Sequence, residues 1–303
     1  MVSGAPVIGV TGASGYIGRA LTKALIARDY EVVTLGRADA SRDLDLMASS
    51  GYRSALEGLS TVIHCGGLAH NDALPEDYEQ INYRATIALA DAALSVGIKR
   101  FIFLSSLNVV PAAGYKGSTA ASSLPRPDTP YVFSKWKAEQ GLDQLLRYSA
   151  CELSICRPGL VYDHELTGNL AILASIAHRL PVALPAVGVR GMVSRPDLVS
   201  LLTVLAAKEG KLDGRTSRFA LTDGESYSSK RIGSALGGRT PITAPAGLWR
   251  FGSFCRDVFR GKPLGATWRS LSLGGWTGPW PAIDGWRPEW TLETLLAERS
   301  VSQ

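Results

Sequence analysis

Between a short apolar run, Val7 to Val10, and a helical pattern from Tyr16, the chain reads Thr11-Gly12-Ala13-Ser14-Gly15-Tyr16-Ile17-Gly18. Strand, glycine-spaced turn and helix, in that order, let backbone N–H groups approach a pyrophosphate at the positive end of a helix. The last glycine lets helix and strand pack closely. The spacing is GxxGxxG rather than the more familiar GxGxxG. It predicts the opening unit of a dinucleotide-binding α/β domain, with Gly12, Ser14, Gly15, Tyr16, Ile17 and Gly18 against the cofactor.

The following residues keep the same rhythm. Val32 to Leu35, Thr61 to His64, Arg100 to Leu104 and Leu153 to Arg157 are short β-branched or apolar runs, with helical patterns from Tyr16 to Arg28 and from about Tyr78 to Val96. That alternation predicts a doubly wound parallel sheet of the Rossmann type over residues 1–160. Proline and glycine multiply beyond it, which predicts a smaller, loop-rich C-terminal lobe over residues 161–303, intertwined with the first. With 46% hydrophobic and 19% charged residues the chain is not disordered. No apolar stretch reaches the ~18–20 residues of a spanning helix, and the N-terminus lacks a basic signal region, so a cytoplasmic protein is expected. The four cysteines, Cys65, Cys151, Cys156 and Cys255, form no CxxC pair and have no histidines at metal-ligand spacing, so no metal is expected.

The second strand ends Thr34-Leu35-Gly36-Arg37. In dinucleotide folds this tip carries an acid for a free ribose 2′-hydroxyl or an arginine for a 2′-phosphate. Arg37 favours NADP; the competing reading leaves Arg37 in solvent, gives the ribose to Asp39 and keeps NAD as the alternative. Further on, Ser105-Ser106 ends a strand and Tyr131 precedes Lys135 by four residues, one helix face. An ammonium near a phenol stabilises phenolate, so Tyr131 is the expected proton carrier, Lys135 the group that lowers its pKa, and a strand-end serine the hydroxyl that orients the same substrate oxygen.

Together these features resemble the extended short-chain dehydrogenase/reductases of the NAD(P)-dependent sugar-nucleotide epimerase/dehydratase family, over nearly the whole chain. Val62-Ile63-His64-Cys65-Gly66-Gly67 resembles the family's VIHLAA strand end, which implies that Cys65, Gly66 and Gly67 line the cofactor. Asp45-Leu46 resembles the pair that cradles adenine, Asn82 the asparagine that opens the next helix, and Arg157-Pro158-Gly159-Leu160-Val161-Tyr162 the RPxxVYG strand, whose Pro158 and Gly159 would lie near the nicotinamide. The resemblance makes Ser106 rather than Ser105 the catalytic hydroxyl, gives Tyr131 and Lys135 a second role in holding the cofactor, and implies a homodimer. Val110 and Pro111 depart from the pattern, as does Asp163, which stands where the family has glycine.

In the second lobe the resemblance implies substrate contacts from Asn108, Asn169 and Arg190, the last as clamp for a nucleotide-sugar diphosphate, with Arg269 a weaker candidate for that diphosphate. Arg190 as a plain surface charge is the competing reading. His70 reads either as a cleft residue or as a hydrogen-bonded loop residue. The net charge of +5 is concentrated: six basic residues between Gly237 and Ser270 face Asp257 alone. Such a patch suits a phosphate-bearing ligand first, an anionic membrane surface second and nucleic acid last, and no nucleic-acid partner is expected. Leu248 to Phe259 is an amphipathic helix with a basic opposite face, either packed on the small lobe or attached to a membrane surface.

Dehydratases of this family carry an Asp-Glu pair after the catalytic hydroxyl, where this chain has Leu107 and Asn108. That leaves oxidoreduction or epimerisation at C4. With Arg37 taken as an NADP determinant, the expected activity is reduction of a 4-keto-UDP-sugar; the stretch LPVALPAVGVRGMVS from Leu180 and the later ALTDGESYS resemble the reductases of the UDP-N-acetylquinovosamine dehydrogenase type, and the alternatives are a UDP-hexose 4-epimerase with bound NAD and a non-catalytic NAD(P)-sensing protein.

Overall fold

Alternate residues along β5 (Arg100–Leu104) go to opposite sides of a sheet: Phe101 and Phe103 to one core, Ile102 and Leu104 to another. A computed structural model describes residues 6–37, 39–48, 51–69, 73–111, 127, 129–179, 182–183, 185–207, 216–237, 242–243, 245–259, 264–265, 268, 272, 274–280 and 282–301. Besides β5 the sheet contains β1 (Ile8–Thr11), β2 (Val32–Gly36), β3 (Arg42–Asp43), β4 (Thr61–His64), β6 (Glu152–Pro158) and β10 (Thr216–Leu221), in the order β10-β6-β5-β4-β1-β2-β3 and parallel throughout. A parallel sheet buried on both faces needs helices on both, and the doubly wound Rossmann-like arrangement supplies them.

On one face α2 (Tyr52–Leu56), α4 (Ala85–Ser95) and α5 (Pro130–Leu146) bury Leu56, Leu89, Ala93, Ala138 and Leu142 against Phe101, Phe103 and Leu153. On the other, α1 (Tyr16–Ile26) and α7 (Arg195–Ala207) bury Leu21, Leu25, Leu198, Leu201 and Leu202 against Ile8, Val10, Ile63 and Ile102. The helix expected from Tyr78 is not uniform: α3 (Pro75–Tyr78) leads into a π-helical stretch, Glu79–Arg84, before α4. Asn82 therefore lies inside a widened turn rather than opening a helix.

A distinct C-terminal lobe has its own core of Tyr162, Leu170, Met192, Tyr227, Ile232, Leu236 and Leu292. It is built from β7 (Leu160–Tyr162) paired with β9 (Met192–Ser194), α6 (Gly168–Arg179), α8 (Ser229–Gly237) and the last helix, Leu292–Val301. Short β8 (Val182–Ala183) and β11 (Ile242–Thr243) pair with each other, and α9 (Ala246–Phe259) follows. Among the described residues no helix is long and apolar enough to cross a membrane.

Candidate active site

Strand order reverses between β1 and β4, and in open α/β sheets ligands bind at such a reversal, beyond the carboxyl ends of the strands. The turn after β1 lies there. Gly12 has φ +65°, and a Cβ on it would come within 2.7 Å of the Gly66 nitrogen; one on Gly18 would overlap the Gly12 carbonyl oxygen. Gly15 caps α1 without a side-chain bond, no acid occupies the helix's first turn, and Ser14 and Gly15 are exposed. A backbone cradle with uncapped amides at a helix start fits a dinucleotide pyrophosphate. Tyr16 and Ile17 begin α1, and Ile17 packs on the core beneath.

The turn after β4 closes the cradle. Thr11 Oγ1 accepts from Gly66 N–H at 3.1 Å and lies 2.7 Å from His64 Nδ1. Thr86 Oγ1 donates to the Asn82 carbonyl at 2.9 Å and so accepts from His64 Nε2, 2.9 Å away; His64 is then Nε2–H, with Nδ1 accepting from Thr11. Burial holds this imidazole neutral, its pKa pulled down to about 3. Asn82 bonds both backbone groups of Leu68 and donates to Ser134 Oγ at 3.1 Å, which fixes the loop after Gly67 against α5. Leu46 Cδ1 would lie 3.0 Å from a Cβ on Gly66, so Asp45-Leu46 borders this floor, with Asp45 tied to Met47 N–H. Cys65 is partly buried, and burial raises its thiol to about 12.

At the end of β5 the two serines part company. Ser105 donates to buried Glu139 at 2.5 Å, whereas Ser106 accepts from Asn108 N–H at 3.2 Å and lies near enough to Tyr131 to lower its phenol pKa. Lys135, 6% exposed, donates to the Leu104 carbonyl at 3.0 Å and lies 4.8 Å from the Phe103 ring centroid. Burial draws its ammonium down to about 8. Burial also raises the Tyr131 phenol, against the opposing effect of Ser106. Desolvation is the largest cause of that shift, and the Lys135 ammonium bonds the Leu104 carbonyl.

Glu139, not anticipated from the sequence, continues the Tyr131-Lys135 face by one more turn. Fully buried, it accepts from fully buried Arg157 at 2.5 Å and ties α5 to β6 beside Ser105. Its spacing, i+4 from Lys135, was the available signal.

Pro158 ends β6, and a Cβ on Gly159 would lie 2.5 Å from the Gly191 oxygen, so the segment carrying Arg190 crosses directly against Gly159. Arg190 bridges Tyr227 through its backbone, its Nε donates to Gly188 O at 3.0 Å, and burial lowers its pKa. Asn108 is exposed at the strand ends. Asn169 is the second residue of α6. Arg269 and His70 lie outside the described residues. Asp163 pairs with Arg195, whose guanidinium carbon lies 4.3 Å from the Tyr16 ring centroid, bracketing the start of α1 from the C-terminal lobe.

Arg37 is exposed at the tip of β2. An arginine so placed can stack on a flat ring or pair with a phosphate, so its position alone does not identify the cofactor.

The profile of the NAD dependent epimerase/dehydratase family matches residues 8–183. A UDP-glucose 4-epimerase of Vibrio cholerae is 32% identical over 242 residues, 74% of this chain and 72% of that one. Among solved structures, MoeE5 in complex with UDP-glucose and NAD is similar with a TM-score of 0.72 and 21% identity, covering 97% of this chain and 99% of that chain. The UDP-glucose 4-epimerase of Thermus thermophilus in complex with NAD has a TM-score of 0.62 and 22% identity, covering 79% and 86%. These findings overturn two expectations. The Vibrio cholerae relative is an epimerase, not a 4-keto-sugar reductase, and both of these solved structures hold NAD, not NADP. None of them is of the UDP-N-acetylquinovosamine dehydrogenase type.

Proposed function

Since the chain belongs to the NAD dependent epimerase/dehydratase family, we propose that it is a UDP-hexose 4-epimerase that keeps NAD bound through its cycle. Membership of this family makes it an enzyme rather than a cofactor sensor. The observation that carries the reading is the placing of Ser106 at the end of β5 and of Tyr131 and Lys135 on one face of α5, at the sheet end that also holds the glycine cradle, in a chain 32% identical to a UDP-glucose 4-epimerase.

Gly12, Ser14, Gly15, Tyr16, Ile17 and Gly18 would hold the pyrophosphate, Asp45 and Leu46 the adenine, and Cys65, Gly66, Gly67, Pro158 and Gly159 the nicotinamide end. Bound there, NAD supplies reversible hydride transfer at C4 of the sugar. Tyr131 takes the C4 hydroxyl proton and returns it, and Ser106 orients that oxygen. Burial raises the phenol, and Lys135, one turn along α5, is the cation assigned here to favour its ionised form during the reaction. Arg190, Asn108 and Asn169 would hold the nucleotide sugar, with Arg269 a further candidate. A homodimer, and the division near residue 160 into cofactor and substrate parts, belong to the same proposal.

The test is incubation of the purified protein with UDP-glucose and no added cofactor, with NMR of the sugar at C4 and assay of dinucleotide released on denaturation. The expected result is formation of the C4 epimer and release of NAD. Absence of any C4 epimer from a panel of UDP-hexoses, or release of NADP, would overturn the reading.

A further inference from the structure

Helix α9 is amphipathic with its apolar side turned outward. At 100° per residue, Phe254, Val258, Phe251, Cys255, Leu248 and Phe259 fall within one arc of about 140°. Phe251 is 68% exposed and Phe259 90%. The opposite side, carrying Ser253 and Asp257, is the one that is buried. This settles how the helix sits in a direction opposite to the usual globular one, in which the apolar stripe faces the core.

The charges say what that stripe can meet. Arg250, exposed, borders one edge of the arc and Arg256, half-buried, the other, while the helix's one acid, Asp257, points inward. The surrounding segment from Gly237 to Ser270 adds Arg239, Arg260, Lys262 and Arg269 and no further acid. A second copy of the chain would meet this stripe through a two-fold contact and set arginine against arginine. Moreover, a single convex ridge about 21 Å long presents less than the ~800 Å² per side of a stable protein interface. A bilayer yields to a ridge, and its anionic phosphates pair with arginines at both edges.

We propose that α9 is a membrane-surface helix that seats the chain on an anionic bilayer, its phenylalanines in the headgroup boundary and its arginines on lipid phosphates. The helix lies flat on the interface and crosses nothing.

The test is flotation of the full chain with vesicles of phosphatidylcholine alone or with one third phosphatidylglycerol, at low and high salt. Binding to the anionic vesicles is expected, weakened by salt. Phe251→Ser combined with Phe254→Ser should lower the vesicle partition constant about a hundredfold or more, since both rings leave the apolar phase. Arg250→Glu should reduce the preference for anionic over neutral vesicles. Circular dichroism and C4-epimer formation would report that both variants remain folded. Wild-type protein left in solution with anionic vesicles, or flotation unchanged in the double variant, would overturn the proposal. So would a wild-type dimer, by light scattering, that the double variant converts to monomer without any vesicle binding, because α9 would then cover a second copy.

Discussion

Arg157 and Glu139 face each other with both side chains wholly excluded from solvent, Nη2 to Oε2 at 2.5 Å. Removing one partner of such a pair leaves an uncompensated buried charge and costs about 3–5 kcal/mol. Glu139→Gln should therefore lower stability to urea by that order and, by releasing Ser105, also lower kcat. Glu139→Leu with Arg157→Met should recover most of the stability, because no charge is then stranded. Equal loss in the single and double variants would mean that packing, not the charge pair, holds α5 on β6.

Tyr131→Phe removes the phenol but keeps the ring. C4 epimerisation should fall by a factor on the order of 10²–10⁴, the contribution of a positioned acid–base group, with bound NAD retained after purification. Comparable turnover would take Tyr131 out of the mechanism.

The Gly18 position admits no side chain, because a Cβ there overlaps the Gly12 carbonyl oxygen. Gly18→Ala should lose bound NAD and lower the melting temperature. Measuring dinucleotide in the purified variant against its melting curve separates the two effects, and full retention of NAD would show that the turn gives way without harm.

His64 sets part of the acid limb of stability. Its pKa lies near 3 when folded, below the ordinary 6.5, so between those values the unfolded chain binds the extra proton. Stability therefore falls as pH drops below about 6.5, by up to ~1.4 kcal/mol per pH unit from this group. Urea unfolding from pH 7 to pH 4 should show that slope in the wild type and a slope shallower by about one proton in His64→Asn. Parallel curves would place the acid sensitivity elsewhere.

Much of the fold is legible in the sequence because each of its signals is local. The glycine turn names β1 and α1, the β-branched runs name the strands, and a tyrosine and lysine four residues apart name one face of α5. What is not legible depends on partners far along the chain. Glu139 on a 17-residue helix reads as a solvated carboxylate until β6 brings Arg157 to it. The periodicity of α9 marks an apolar face but not which way that face turns, and buried Ser253 and Asp257 reverse the ordinary reading. Arg37 misleads because one arginine serves two chemistries, and what overturns the NADP reading is the NAD held by similar structures rather than anything at the tip of β2.

Arg190→Ala probes the nucleotide end. A diphosphate contact changes little while C4 reacts, so its loss weakens substrate and transition state alike. KM for the UDP-hexose should rise roughly ten- to a hundredfold, as expected for one charged hydrogen-bonded contact of ~1.5–3 kcal/mol, with kcat and bound NAD nearly unchanged. An unchanged KM in steady-state kinetics would return Arg190 to the surface of the lobe.

The pairing of β10 with β6 has a consequence for how the molecule is made. Residues 216–221 complete a sheet whose next strand ends at Pro158, and most of the C-terminal lobe's first half is synthesised between them. A nascent chain that has emerged only as far as β6 carries a parallel sheet with an open, apolar edge, an invitation to pair with a neighbouring chain. That edge cannot be covered until β10 leaves the ribosome, and α7, which shields the second face of the sheet, arrives only shortly before it. Assembly is thus governed by late, distant contacts, the regime in which folding is slow and a holding chaperone has most to act on.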